Sequence, residues 1–232
     1  MTACIEFMVE AILFDIDGTL VDSTPAVERT WRAWARSRGF DAEKILASSH
    51  GRRTEDTLAD FLPAHQIPQA ARELLDLETA DLEGVVALPG ARELLTALPP
   101  RQWAAVTSGG CELMRRRLDV AGLPVPEVLI SAEDVQAGKP DPEGYHLAAA
   151  RLGANPHRCL VLEDAPAGVE AGRRAGGQVL AVATSHTPAQ LAGRAQVIQD
   201  LRQLQVSSGA TVFRGHDDAP APELHIRCHT LG

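Results

Sequence analysis

Two aspartates, Asp15 and Asp17, follow a short apolar run and are separated by a single residue. Side chains two positions apart point the same way on an extended chain, so both carboxylates can face one site where the run ends. Gly18 comes next and lets the chain turn away. Oxygen ligands of this kind suit a hard cation such as Mg²⁺. Taken alone, the pair could also be ordinary turn residues.

Three further polar clusters occupy comparable positions. Thr107 and Ser108 end a second apolar run, Lys139 stands just before a helical pattern, and Glu163 and Asp164 end another run. Because the carboxyl ends of parallel strands lie at one edge of a sheet, we expect all four clusters to meet there. They would supply carboxylates for a hard cation, a hydroxyl donor and one ammonium group. The chain has only two lysines, which favours a site role for the one at position 139.

Short apolar runs alternate with helical patterns along most of the chain. The runs lie at 11–14, 103–106, 128–130, 159–162 and 179–182. The helical patterns lie at 90–98, 111–121, 142–152 and 167–175. Continuous apolar runs of this length are typical of strands buried on both faces of a parallel sheet. The pattern predicts an α/β fold with a Rossmann-like, doubly wound parallel sheet.

One stretch, residues 23–87, interrupts the alternation and contains no good strand pattern. Helical patterns at 25–38, 54–61 and 69–83 predict a small all-helical cap inserted after the first strand, with hinges at 21–25 and 86–90. Lys44 is expected in a loop between cap helices. The predicted domains are a core of residues 1–22 and 88–206, a cap of residues 23–87, and a C-terminal tail or hairpin of residues 207–232.

The amino-acid composition limits which kinds of molecule the chain could bind. The chain has 232 residues, of which 45% are hydrophobic, and 31 acidic against 22 basic residues give a net charge of −9. An acidic chain argues against a nucleic-acid surface, and no apolar run approaches the ~20 residues of a membrane helix.

Four cysteines without paired spacing and no basic signal segment indicate a reducing, cytoplasmic setting. A monomer or weak dimer is expected. Residues before Met8 could be an upstream extension.

The order and spacing of the four clusters resemble the haloacid dehalogenase (HAD) superfamily, from about residue 8 to residue 204. The position of the helical insertion matches the small cap of that superfamily. The chain is most similar to the β-phosphoglucomutase-like branch, including bacterial sugar phosphatases and the glycerol-3-phosphatase and 2-deoxyglucose-6-phosphatase group. The segments that carry this resemblance are 50–54, 88–90, 105–109, 138–142 and 161–168.

The resemblance implies a catalytic role for each cluster. Asp15 would be the nucleophile that forms an aspartyl-phosphate, and Asp17 would protonate the leaving alcohol and then activate water. Thr107 would bind a phosphoryl oxygen, and Lys139 would neutralise negative charge. The cofactor would be Mg²⁺, with Glu163 either a ligand or a supporting group behind the ligands. The implied ligand set is Asp15, Asp17, Asp164 and Glu163.

The same resemblance implies a substrate-binding set. Ser108 and Gly109 would lie beside the phosphoryl group, while Arg52 and Arg53 lie on a cap loop that reaches over the core in the resembling enzymes. Either arginine could hold substrate hydroxyls or the phosphate, or both could belong to a solvated loop. We therefore expect hydrolysis of a small phosphorylated metabolite, a sugar or polyol phosphate.

Three alternatives share this core: a phosphoglucomutase-type isomerase, a non-catalytic binding protein and a dehalogenase. The resembling mutases have a histidine on the first cap helix and a lysine deeper in the cap. Here Val27 stands at the histidine position, and residues 45–88 contain no lysine, which favours water as the acceptor. Asp17 argues against dehalogenation, because a departing halide needs no general acid. The complete set of motifs argues against a non-catalytic scaffold.

Overall fold

A computed structural model describes residues 4–49, 51–208 and 223–231. The strands are β1 Cys4–Val9, β2 Ala11–Phe14, β3 Val21–Asp22, β4 Val86–Ala87, β5 Trp103–Val106, β6 Leu129–Ile130, β7 Cys159–Glu163, β8 Gln178–Val182, β9 Gln196–Ile198, β10 Leu204–Ser208 and β11 Leu224–His229. The α-helices are α1 Thr24–Arg38, α2 Ala42–Ser49, α3 Thr54–Leu58, α4 Ile67–Ala80, α5 Ala91–Ala97, α6 Cys111–Val120, α7 Glu143–Leu152, α8 Pro166–Arg174 and α9 Pro188–Leu191.

A six-stranded sheet forms the centre of the molecule, in the order β6-β5-β2-β7-β8-β9. Every neighbouring pair in it is parallel. Strands β2, β5 and β7 are buried along their whole length, as continuous apolar runs require. The predicted α/β class with a parallel sheet is confirmed.

Helices cover the sheet on both sides. Alternate residues of β2 face opposite ways, so Ile12 and Phe14 pack in one hydrophobic cluster and Leu13 packs in another. The first cluster includes Leu113 of α6, and the second includes Tyr145 of α7. This two-sided packing fixes the strand ends, and therefore the polar residues that follow them.

A second, antiparallel sheet has the order β1-β11-β10. Phe7 of β1 and Ile226 of β11 are buried in the same cluster as residues of α5 and α6, so residues 4–7 are part of the fold. Within the predicted C-terminal tail or hairpin, Leu224–His229 forms β11, which pairs antiparallel with β10 as in a hairpin. Residues 209–222 of this segment lie outside the described residues.

Helices α1 to α4 lie between β3 and β4, which pair antiparallel with Val21 opposite Ala87. The two chain connections to these helices are thus held side by side. The helices share a hydrophobic cluster that includes Trp31 and Trp34, whose rings meet edge to face with centroids 5.9 Å apart. The helical insertion therefore has a core of its own.

The expectation that Lys44 lies in a loop is wrong, because Lys44 is part of α2. Asp41 immediately precedes this helix, and its carboxylate accepts a hydrogen bond from the backbone N–H of Glu43 at 3.1 Å. Ile45 and Leu46 are buried against the other cap helices. Lys44 itself is exposed and lies 3.9 Å from Asp41.

Within the described ranges, each helix is too short or too polar to cross a lipid bilayer.

Candidate active site

The central sheet brings the four sequence clusters together at the carboxyl edge of its strands. Asp15 follows β2, Thr107 follows β5 and Asp164 follows β7. Lys139 comes from the loop between β6 and α7. All four side chains are buried. One carboxylate oxygen from each of Asp15, Glu163 and Asp164 lies within 4.8 Å of the other two.

Lys139 is the cation at the centre of this group. Its Nζ lies 2.6 Å from Asp15 Oδ1 and 2.6 Å from Glu163 Oε1, and it donates to the carbonyl of Val106 at 3.1 Å. Burial alone would lower the pKa of Lys139, but the attraction of the two carboxylates outweighs it and the net shift is upward. Lys139 is therefore a fixed positive charge beside Asp15.

Glu163 is fully buried, and both of its carboxylate oxygens are engaged. Besides Lys139, Oε1 accepts from the Tyr145 hydroxyl at 2.7 Å, and Oε2 accepts from the backbone N–H of Asp164 at 3.1 Å. Gly168 makes room for this carboxylate, because a Cβ there would collide with it. Of the two roles left open by the sequence, this arrangement favours a supporting group that holds Lys139.

Asp15 has one oxygen bound by Lys139 and one available. Its Oδ2 is buried and has no hydrogen-bond partner among the residues that the structure describes. Burial raises the pKa of the Asp15 carboxyl well above its usual range, although Lys139 acts in the opposite direction. Such a carboxylate needs a further positive charge to be stable as an anion.

Asp164 lies in a similar environment. Burial, followed by repulsion from Glu163, raises the pKa of Asp164 to about 7. The Ser185 hydroxyl donates to Asp164 Oδ2, and Thr19 donates to Oδ1 at 3.5 Å. Gly18 has φ 88°, and a Cβ there would overlap the Asp164 carboxylate. Two buried carboxylates with raised pKa values and a vacant ligand oxygen fit a hard divalent cation.

The carboxylate of Asp17 has two partners that sequence reasoning missed. Ser23 donates to Oδ1 at 2.6 Å, and Arg117 of α6 donates to Oδ2 at 2.7 Å. A signal for Arg117 was present in the sequence: it lies three and four positions after Met114 and Leu113, on the face of α6 that is buried. An arginine on that face requires a buried acidic partner.

Asp15, Asp17, Thr107 and Asp164 line one cavity of about 100 Å³ beneath the cap, together with Ser108 and Gly109. Thr107 Oγ1 accepts from the N–H of Gly109 at 3.1 Å, which leaves its own proton free to be donated. The Ser108 hydroxyl donates to the carbonyl of Gly51 at 3.0 Å and so connects the core to the cap loop.

The two cap arginines differ in position. Arg52 lines the cavity and donates to Asp60 and to the carbonyl of Asp56, each at 2.7 Å. Arg53 is outside the cavity lining, pairs with Asp56 at 2.9 Å and donates to the carbonyl of Gln136 at 3.2 Å. The adjacent His50 lies outside the described residues. The structure thus brings Arg52 to the site and places Arg53 between the cap loop and the Lys139 loop.

Comparisons with known proteins identify relatives of this chain. A model of the haloacid dehalogenase-like hydrolase family matches residues 9–176. Hexitol phosphatase A of Escherichia coli (strain K12) is 47% identical over 185 residues, which cover 77% of this chain and 86% of that protein. The 2-deoxyglucose-6-phosphate phosphatase 2 of Saccharomyces cerevisiae is 34% identical over 225 residues, covering 87% and 92%.

Among solved structures, a β-phosphoglucomutase from Clostridium difficile has the same fold, with a TM-score of 0.75 and 22% identity, over 85% of this chain and 93% of that one. The matched segment includes Asp15, Thr107, Lys139 and Asp164. This chain belongs to the haloacid dehalogenase-like hydrolase family.

Proposed function

We propose that this protein is a Mg²⁺-dependent phosphomonoesterase that hydrolyses small sugar or polyol phosphates through an aspartyl-phosphate. One observation carries the proposal: a buried Asp15 has Lys139 at 2.6 Å on one oxygen and no partner on the other within the described chain, in a cavity shared with Asp17. The relatives named for hexitol phosphate and 2-deoxyglucose-6-phosphate hydrolysis support this substrate class.

In the first half-reaction, a carboxylate oxygen of Asp15 forms a bond to phosphorus while the bond from phosphorus to the alcohol oxygen breaks. Asp17 gives a proton to that oxygen, so the alcohol leaves neutral. Lys139 balances the negative charge on the nucleophile and the phosphoryl group, and the Thr107 hydroxyl donates to a phosphoryl oxygen. Most of the catalysis is therefore positioning and electrostatics.

In the second half-reaction, Asp17 accepts a proton from water as the water oxygen bonds to phosphorus. The bond between phosphorus and Asp15 breaks, which releases inorganic phosphate and restores both carboxyl groups. Closure of the helical cap over the cavity would limit access to one bound substrate at a time.

The residues present fit a magnesium ion. Asp15 and Asp164 would hold it, together with the backbone carbonyl of Asp17, while Glu163 holds Lys139 in place. When bound, Mg²⁺ neutralises the buried carboxylates and the phosphoryl oxygens and orients the phosphate for in-line attack. Oxygen ligands without histidine or cysteine favour magnesium over zinc.

Water is favoured over a sugar hydroxyl as the acceptor. Val27 of α1 lines the cavity at the position where the resembling mutases have a histidine, and Trp31 lies beside it. Val27 has no polar atom and the Trp31 indole has only an N–H donor, so neither side chain can deprotonate a second acceptor hydroxyl. The mutase structure, at 22% identity, shares the fold and gives no support for isomerase activity here.

A product assay tests the proposed function. We expect inorganic phosphate from a panel of triose to hexose and polyol monophosphates, with a hexitol phosphate and 2-deoxyglucose 6-phosphate among the better substrates. Incubation with β-glucose 1-phosphate and a bisphosphate primer, followed by ³¹P NMR, distinguishes the alternatives. Isomerisation that outruns phosphate release would establish a mutase, and absence of any turnover would favour the non-catalytic alternative.

The different positions of the cap arginines give a matched pair of variants. Arg52→Ala should raise KM for a hexitol phosphate by about 10-fold, the effect of one charge-assisted hydrogen bond. Arg53→Ala should change KM less, because Arg53 is outside the cavity lining. KM for p-nitrophenyl phosphate, which lacks hydroxyls, should be affected less in both variants. Equal changes in the two variants on both substrates would place Arg52 outside the substrate site.

A further inference from the structure

Arg117 is a buried guanidinium between the core and the cap, and nothing in the proposed chemistry uses it directly. It lies on α6 and is only 3% exposed. Its NH1 donates to Asp17 Oδ2 at 2.7 Å, and its NH2 lies 3.6 Å from Glu78 Oε1. Glu78 belongs to cap helix α4. One arginine therefore contacts a carboxylate of the catalytic loop and a carboxylate of the cap.

The segment of α6 that carries Arg117 is held in place by the core. Its neighbours on α6, Met114 and Leu118, are fully buried in the main hydrophobic core. Ser23, just before α1, holds the other oxygen of Asp17 at 2.6 Å. The Asp17 carboxylate is consequently fixed from the core by Arg117 and from the cap connection by Ser23. The donors of a guanidinium are fixed in one plane, so Arg117 restricts the relative orientation of its two carboxylates more than a freely rotating ammonium group would.

We propose that Arg117 is a positioning residue that directs the Asp17 carboxyl toward the leaving-group oxygen, and that its contact with Glu78 couples this orientation to the seated cap. The inference rests on the proposed function, in which Asp17 is the general acid. Asp17 then delivers its proton efficiently only when α4 lies against α6. Substrate enclosure and proton transfer would be completed by the same movement.

The dependence of rate on the leaving group separates this role from a purely structural one. A poor leaving group, such as an alkoxide or phenolate, needs a proton as its bond to phosphorus breaks, whereas 2,4-dinitrophenolate leaves without one. A misdirected Asp17 carboxyl therefore slows the hydrolysis of esters with poor leaving groups more than that of esters with good ones. A structural defect reduces the amount of active enzyme and lowers all rates by one factor.

The experiment compares kcat/KM for phenyl, p-nitrophenyl and 2,4-dinitrophenyl phosphate, since kcat/KM reports the steps up to release of the phenol. Arg117→Met should lose at least about 10-fold on phenyl phosphate and less than about 3-fold on 2,4-dinitrophenyl phosphate, a fraction of a typical general-acid contribution. Arg117→Lys, which keeps a buried cation and serves if the Met variant does not fold, should show the same trend more weakly.

Two further variants complete the design. Arg115→Met removes an exposed arginine from the same helix and should leave all three values unchanged. Glu78→Gln should lower kcat/KM for phenyl phosphate about 3-fold more than kcat/KM for 2,4-dinitrophenyl phosphate. This effect is smaller than that of Arg117→Met because the contact between Glu78 and Arg117 is longer than a hydrogen bond. An unchanged slope in Glu78→Gln overturns the coupling to the cap.

Equal losses on all three esters in both Arg117 variants overturn the positioning role, even though wild-type turnover would still support the phosphatase. If the wild-type protein hydrolyses none of the esters, the proposed function itself fails, and the inference fails with it. Thermal melting of each variant, measured alongside, reports the folded fraction.

Discussion

Replacing Asp15 by Asn should lower kcat by about 10⁴-fold or more, as loss of a covalent nucleophile does in other enzymes. An amide nitrogen or oxygen at this position cannot form the acyl-phosphate. The fold should persist, because Lys139 keeps its second carboxylate partner, Glu163, at 2.6 Å. Burial disfavours the Asp15 anion, so a neutral amide of the same shape is well tolerated there.

Phosphate release from a purified Asp15→Asn variant, measured beside its thermal melting curve, checks this expectation. Mass spectrometry after brief exposure of the wild type to substrate should detect a phosphoryl group on the Asp15 peptide and none in the variant. Near-normal turnover in a variant whose Asn is verified would reject Asp15 as the nucleophile. A variant that melts far below the wild type would show that Asp15 also stabilises the fold.

Removing divalent metal should lower activity at least ~100-fold, because a catalytic cation contributes several kcal/mol to the transition state. The site has buried carboxylates at positions 15, 163 and 164, and Lys139 alone cannot neutralise them together with a phosphate dianion. Activity should return with Mg²⁺. Ca²⁺ should inhibit, since its larger and more irregular coordination disturbs in-line attack.

The measurement is phosphate release after treatment with a chelator and gel filtration, followed by titration of each metal. Mg²⁺ should also raise the melting temperature, because it binds the folded chain in preference to the unfolded one. Asp164→Asn should abolish both the rescue and the thermal shift. Full activity in metal-free buffer would show that Lys139 and neighbouring donors suffice by themselves.

The side chains that meet at the edge of the sheet could be predicted because the sequence patterns that mark them are local. Each of β2, β5 and β7 contains a continuous run of four apolar residues, and these runs are followed by Asp15, by Thr107 and by the pair Glu163 and Asp164. Parallel strands present their carboxyl ends on one side, so residue type and position after the strand are enough to group these side chains.

Elements stabilised by distant contacts were harder to predict. Helix α2 has only eight residues, and its apolar side chains Ile45 and Leu46 pack against Trp31 and other cap residues. Strand β11 lies between β1 and β10, so its place in the sheet depends on pairing residues from both ends of the chain. No local pattern specifies such a partner.

The sequence by itself determined which chemical groups gather at the sheet edge: carboxylates, one lysine and hydroxyls following buried strands. Only the tertiary structure decided their partners. It placed Glu163 on Lys139 and Tyr145, brought Arg52 rather than Arg53 to the cavity, and joined Asp17 to Glu78 through Arg117. The reason is physical: backbone periodicity fixes the face on which a side chain lies, whereas distances between side chains of different elements depend on how helices far apart in sequence pack together.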